Sequence, residues 1–282
     1  MARTRAKFNG TTIKKWIAQG RGQGHGKNYT PWFRARDVPS NGYVNRILGW
    51  KTKRRHEFLS NLEASYFYVL EWSPSVSDVR EQFPLNREET LAIAHECGIK
   101  HPTIPGTREP AVMTTDFLVD VTHNGSTTEH ARTIKPAQFL SSERILEKFE
   151  IERQYWLRHK VDWAIVTDRD IPVDIVKNIE WVHPYLDLAD GLDVSPDELL
   201  KAEHTLSGLL RDGLALAASS NTCDDRLGLK PGTSLALARH FLARRWWLVD
   251  MRKPINPREP MTLLRPPIAI STQNGLVQEH AA

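Results

Sequence analysis

Two hydrophobic rhythms alternate along the first two-thirds of the chain. Residues 58–72, F-L-S-N-L-E-A-S-Y-F-Y-V-L-E-W, place Leu59, Leu62, Tyr66, Val69 and Leu70 at three- and four-residue steps. That spacing predicts a helix with one buried face. Glu63 lies beside the apolar stripe, where on this segment alone it is expected to swing out to solvent. V-S-D-V-R-E-Q-F-P-L reads as an extended segment closing on Pro84, and residues 88–98 as a helix stopping at Gly98. T-T-D-F-L-V-D-V (114–121) and A-R-T-I-K-P-A (131–137) are short and β-like, and the Asn-Gly between them is a hairpin signal. Pro136 ends the second strand. A long helix is then expected from about Ser141 to His159, with Ser141 and Ser142 as candidate N-caps and Ile145, Phe149, Glu152 and Trp156 on one stripe. V-D-W-A-I-V-T follows as a further buried strand.

The two ends of the chain are patterned differently. T-I-K-K-W-I-A-Q predicts a short helix, and G-R-G-Q-G-H-G-K-N-Y-T-P-W a basic loop with four glycines at alternate positions. This loop lacks the G-x-x-x-x-G-K-[ST] phosphate-cradling spacing. It reads equally as a surface lying on DNA or protein and as a plain linker, and His25 within it has no assignable role. Residues 43–55 predict a hairpin with Lys51, Lys53, Arg54 and Arg55 clustered at its end, a phosphate-contacting patch. After about residue 170 the pattern turns helical through 218. Residues 232–250 then read as a helix and a strand, and 251–268, with five prolines, as a wing. The expectation is a smaller α+β, winged-helix-like domain over 169–282. There Arg239, Arg244 and Arg245, beside Trp246 and Trp247, offer a nucleic-acid face, a protein-docking face, or solvated arginines over a tryptophan core.

Composition changes this picture in one respect. The chain has 282 residues, 40% hydrophobic and 26% charged, an ordinary globular balance that favours two domains. Its net charge of +4 conceals a polarity: residues 1–60 hold 14 Lys/Arg and two acids, so the front carries +12 and the remainder −8. A basic front suggests a polyanion partner or, equally, a solvated, partly disordered arm. The apolar runs are too short for a membrane span, and the basic N-terminus lacks the apolar core of a secretory signal. Cys97 and Cys223 are read as reduced thiols in a cytoplasmic protein; two cysteines are too few for a Cys-based metal site.

The charges that interrupt apolar segments carry the candidate chemistry. In chain order they are Glu63 on a helix, Asp116 on a strand, Lys135 on the next strand and Glu152 on the following helix. Thr133 and Lys135 share a strand face. If the strands bearing Asp116 and Lys135 pair, both charges reach one sheet edge. Carboxylates and a lysine so placed suit metal-dependent phosphodiester hydrolysis, with Mg²⁺ held by carboxylate oxygens and the ammonium stabilising developing charge. On the spacing alone, a plain Lys–Asp ion pair at a sheet end without a catalytic role is the simpler account.

The order Glu63, T-D-F-L-V-D, T-I-K-P resembles the restriction-endonuclease-like pattern of an acid followed by an acid-x-lysine strand. More closely, G-R-G-Q-G-H-G-K-N-Y-T-P-W, L-S-N-L-E-A, D-V-R-E-Q-F-P-L, G-I-K-H-P, T-D-F-L-V-D, I-K-P-A, L-E-K-F-E-I-E-R-Q-Y-W and N-I-E-W resemble the TnsA-like endonuclease subunits of heteromeric Tn-seven-type transposases. The resemblance runs from residue 20 to about 182 and is looser beyond. It implies an α/β restriction-endonuclease-like N-terminal domain over 1–168, a mixed sheet flanked by helices. It implies an Mg²⁺-dependent nuclease, with Mn²⁺ able to substitute, that nicks the 5′, non-transferred strands of double-stranded DNA at transposon ends. The implied partners are a TnsB-like integrase-type transposase and a TnsC-like ATP-dependent regulator that docks on the C-terminal part, with no membrane and a cytoplasmic setting at the nucleoid.

Glu63, Asp116 and Lys135 match the family's active-site acids and lysine, and Glu152 a family glutamate. One position departs: Thr133 stands where Glu, Asp or Gln is expected. A threonine is shorter and uncharged, so the expected metal ligands are Glu63, Asp116 and the main-chain carbonyl of Ile134, with Glu152 as a less certain fourth. The departure also keeps open a DNA-binding or scaffolding subunit without catalysis.

Overall fold

The computed structural model describes residues 10–37, 44–188 and 194–264. The basic arm before residue 10, Tyr43 of the expected hairpin and the last part of the expected wing lie outside these. The chain divides into two compact units between Ile171 and Pro172.

In the first unit, α1 (Gly10–Ala18) is followed by a glycine-rich loop. A hairpin of β1 (Asn45–Leu48) and β2 (Arg55–Phe58) leads into α2 (Asn61–Trp72). The main sheet comprises β3 (Val76–Pro84), β4 (Thr114–His123), β5 (Ser126–Ile134) and β6 (Asp162–Val166), in that spatial order. Its first three strands are antiparallel, and β6 lies parallel to β5. The parallel step needs a crossover, which α4 (Glu143–Arg158) supplies; α3 (Arg87–Glu96) connects β3 to β4.

Strand alternation builds a core on each face of this mixed sheet. Phe117 and Val119 of β4 pack with Val79, Ile134 and the α2 residues Phe67 and Leu70. Leu118, between them in sequence, joins Ala131 and the helix residues Ile93, Ile151, Tyr155 and Trp156. Asn124 and Gly125 link β4 and β5, with φ 49° and 77°. Both central residues are thus left-handed, as the hairpin signal predicts.

Several sequence expectations change. The buried stripe of α2 is Glu63, Ala64, Phe67, Leu70 and Glu71, so Glu63 is turned inward instead of to solvent. On α4 the buried residues are Ile151, Glu152, Tyr155 and Trp156, and Ser142 sits at the N-cap without a side-chain cap bond. β6 is half-buried, because it forms the sheet's edge.

The second unit is helical: α5 (Val173–Val182), α6 (Pro196–Arg211), α7 (Leu216–Leu227) and α8 (Thr233–Ala243). A capping box of Ser195 and Glu198 opens α6. Leu206, Leu210, Cys223, Leu237, Phe241 and Trp247 are buried, and Trp247 donates to Glu203 across 2.9 Å. Among the described residues neither the strand after α8 nor a wing is present, a correction to the α+β winged-helix expectation. The proline-rich segment is instead clipped by Asn178, which donates to the carbonyls of Met251 (3.0 Å) and Lys253 (2.7 Å) and accepts from the Ile255 N–H (2.9 Å). Prolines lack the donors of a ladder, and a side chain on α5 satisfies this backbone in its place. No helix among the described residues is long and apolar enough to cross a membrane.

Candidate active site

The site begins where two strands part. The β4–β5 ladder ends at the Phe117↔Arg132 pair, and the Asp116 carboxylate then accepts the N–H of Ile134 at 2.7 Å. An extended residue sends its N–H and C=O to the same strand edge, so the Ile134 carbonyl leaves β5 on the side of Asp116. Lys135 follows, its Nζ 5.4 Å from the centre of the Phe139 ring.

Glu63 is placed by a helix start. Ser60 caps α2 by accepting from the Glu63 N–H (3.2 Å), while the Glu63 carboxylate accepts from Ser60 Oγ (2.8 Å) and from the Leu59 N–H (3.2 Å). Ser60-x-x-Glu63 is therefore a capping box reaching back one residue further than usual. The spacing S-N-L-E was available in the sequence and gives a local reason for an acid on a buried face.

Gln82 joins the two acids. Its amide donates to Asp116 Oδ1 (3.2 Å) and lies 3.5 Å from Glu63 Oε2, while Thr114 donates to its carbonyl (3.3 Å). Gln82 is 3% exposed and holds φ 50°, and its main-chain oxygen is turned out of the sheet to accept from Trp32. Sequence reasoning missed this residue: an amide in a strand interrupts no pattern, and nothing in R-E-Q-F-P announces a left-handed backbone.

Glu152 sits in a separate nest. The hydroxyls of Thr115 (2.7 Å) and Thr133 both donate to its Oε1, and the indoles of Trp156 and Trp163 donate to the two threonines. The departing Thr133 is thus bonded to Glu152.

The electrostatics follow from burial. Burial first, then the charge of Asp116, pushes Glu63 well above the usual carboxylate range. Burial also raises Asp116, against the pull of the Ile134 N–H, the Gln82 amide and Lys135. Glu152 is pushed up to about 7 by burial, which its two threonine donors only partly offset. A buried acid whose proton affinity is raised by a half-buried neighbour, beside a carbonyl, forms an all-oxygen donor set deficient in positive charge. That set fits a hard divalent cation such as Mg²⁺.

The expected nucleic-acid contacts divide. Lys53 and Arg55 are exposed. Lys51 donates to the carbonyl of Ser73 at 2.7 Å. Arg54, expected on the same patch, points inward and forms a bidentate pair with Glu81, so it is withdrawn from any phosphate. Arg239 is likewise engaged, lying 3.6 Å over the Tyr185 ring and donating to the Trp181 carbonyl. Arg244 pairs with Asp187 at 2.7 Å, and Arg245 is half-buried with φ 57°.

A mixed sheet thus brings two acids and a lysine together where two strands part. The family model described as TnsA-like endonuclease N terminal matches residues 73–168, and that described as TnsA endonuclease C terminal matches residues 170–251. The transposon Tn7 transposition protein TnsA of Escherichia coli is 47% identical over 183 residues, which take in 65% of this chain and 66% of that protein. The chain belongs to the TnsA-like family.

Proposed function

We propose that this protein is a metal-dependent DNA endonuclease subunit of a transposase that nicks the 5′, non-transferred strands at transposon ends. The observation that carries the reading is the convergence of Glu63 and Asp116, with Gln82 between them, where β4 and β5 part beside Lys135. In this reading the unit of residues 1–168 has a restriction-endonuclease-like fold. Glu63, Asp116 and the Ile134 carbonyl hold Mg²⁺ or Mn²⁺, with Glu152 close behind. The bound ion would neutralise charge on the scissile phosphate and help ionise an attacking water. Asp116 orients the turn into Lys135 through its bond to Ile134. Lys135 supplies a compact positive charge for the developing phosphorane or positions the water.

The partners in this reading are a TnsB-like transposase and a TnsC-like regulator, in the cytoplasm, with residues 169–282 making partner and DNA contacts. A winged-helix relationship for that unit rests on its helices alone.

Strand-resolved cleavage of labelled transposon ends with the partners and Mg²⁺ tests the proposal. Asp116→Ala or Lys135→Ala is expected to abolish 5′-strand nicking while complex assembly survives. A Lys135→Ala protein that nicks at the wild-type rate would falsify the assignment. The second reading, a DNA-binding scaffold without catalysis, is favoured by one observation: both Glu63 oxygens are engaged by the α2 cap and Thr133 is tied to Glu152. It requires that the DNA-bound protein show no Mg²⁺ or Mn²⁺ affinity sensitive to Asp116→Ala.

A further inference from the structure

A row of acids crosses the sheet away from the site just described. Asp78 of β3 lies opposite Asp120 of β4, which lies opposite Glu129 of β5. Like charges directly opposite across a ladder are destabilising unless compensated. The register shift between Val76 and Asp78 marks a bulge at this point, and bulges re-aim side chains. One cation serves all three acids: Arg80 pairs with Asp120 and with Glu129 (2.8 Å), and its Nε lies 3.8 Å from Asp78 Oδ2. Three carboxylates against one guanidinium leave two negative charges uncompensated. Arg80 is 4% exposed, and its Nε, 3.8 Å from Asp78 Oδ2, has no hydrogen-bond partner among the described residues.

The glycine-rich loop brings an imidazole over this row. His25 Nδ1 stands 3.5 Å from Asp78 Oδ2 and 3.6 Å from Asp120 Oδ2, and the three donor atoms lie within 4.8 Å of one another. The loop is fixed there by its backbone. Gly24 has φ 89°, and a Cβ on it would meet the Asn28 carbonyl at 2.7 Å; Gly26 has φ 52° and donates its N–H to Asp78 Oδ2 at 3.0 Å. The Tyr29 hydroxyl donates to the Glu81 carbonyl. A tetrahedral ion with nitrogen and oxygen ligands at about 2.0–2.1 Å separates its donors by about 3.3 Å. The two distances from His25 are close to that edge length.

We propose that His25, Asp78 and Asp120 form a second divalent-cation site, selective for a zinc-class ion, that fastens the glycine-rich loop to the sheet. Imidazole with two carboxylates suits Zn²⁺ in preference to Mg²⁺, which takes oxygen ligands and keeps its water. A divalent charge cancels the two uncompensated negatives. A solvent ligand in the remaining position gives Arg80 Nε–H an acceptor.

The test is Zn²⁺ binding by calorimetry to the full chain carrying Asp116→Asn, which disables the other acid site, with Co²⁺ as a spectroscopic probe. One Zn²⁺ per chain is expected, with the visible bands of four-coordinate Co²⁺ on substitution. Adding His25→Ala or Asp120→Asn should weaken binding at least about tenfold. His25 is an exposed side chain, so its variant tests binding without threatening the fold. Absence of saturable Zn²⁺ uptake by the Asp116→Asn protein would mean that His25 merely lies beside the two aspartates, and overturns the proposal. Uptake unchanged in both added variants overturns it equally.

Discussion

Gln82 does two things at once: its backbone takes a left-handed conformation inside a strand, and its amide spans two acids. For a residue with a Cβ that conformation costs about 1–2 kcal/mol. Gln82→Gly separates the two roles. Glycine adopts φ 50° without strain, so the melting temperature should hold or rise, while the lost amide leaves the acids unbridged and nicking should fall roughly tenfold, about 1.4 kcal/mol in the barrier. Equal loss of both would make Gln82 purely structural. Glu152 offers a pH test. Its folded-state value, about 7, lies above the ordinary carboxylate range. The folded protein therefore keeps a proton that the unfolded chain gives up, and this group's contribution to stability is lost as pH rises from about 4.5 to 7. Glu152→Gln should flatten that decline in metal-free thermal melts taken across the window. Asp116, Lys135 and Glu152 stood out in the sequence because each breaks an apolar segment. Thr133 stood out only by comparison with a family pattern, and its bond to Glu152 depends on a helix that reaches it from another layer.

The β1–β2 hairpin shows why the element scale was harder to read. K-T-K-R-R-H-E-F appears as a block of positive charge, yet Thr52, Arg54, His56 and Phe58 are buried while Lys53 and Arg55 are exposed. Strand alternation holds only from Arg55 to Phe58, while Thr52, Lys53 and Arg54 lie in the turn, where Lys53 has φ 52°; charge is normally exposed, and that prior hid the buried arginine. What draws Arg54 inward is Glu81, which accepts both guanidinium branches and the imidazole of His56 at 2.8 Å. Arg54 also donates to Gly26 and Val79 carbonyls, so it ties the glycine-rich loop, the hairpin and β3 together. Burial works against the Glu81 charge, but His56 and Arg54 outweigh it and hold the acid down to about 2. A depressed acid contributes stability above its unfolded value and loses it as pH falls, here from about 4.5 toward 2. Arg54→Ala leaves Glu81 buried beside a single partner and should cost about 3–5 kcal/mol, seen in denaturant unfolding at neutral pH. Arg55→Ala, one residue along, should cost under about 0.5 kcal/mol.

At the scale of the whole molecule, the excess of +12 in residues 1–60 remains the feature most open to a direct binding test. The structure reduces the number of these charges that are exposed. Arg54 is withdrawn, Arg21 is buried against Asp37 at 2.6 Å, and Lys51 donates to a main-chain carbonyl. Lys53 and Arg55 are exposed, and Arg46 is more than half exposed beside Glu57. Each phosphate contact removed should lower the slope of log K against log salt by about 0.9. Lys53→Ala combined with Arg55→Ala should therefore reduce that slope by about 2 in titrations of duplex DNA between low and physiological salt. Arg239→Ala should leave the slope unchanged and lower thermal stability instead, because its guanidinium lies between Trp181 and Tyr185. An unchanged slope in the hairpin double variant would move the DNA-contacting surface away from this hairpin, to other basic residues of the front.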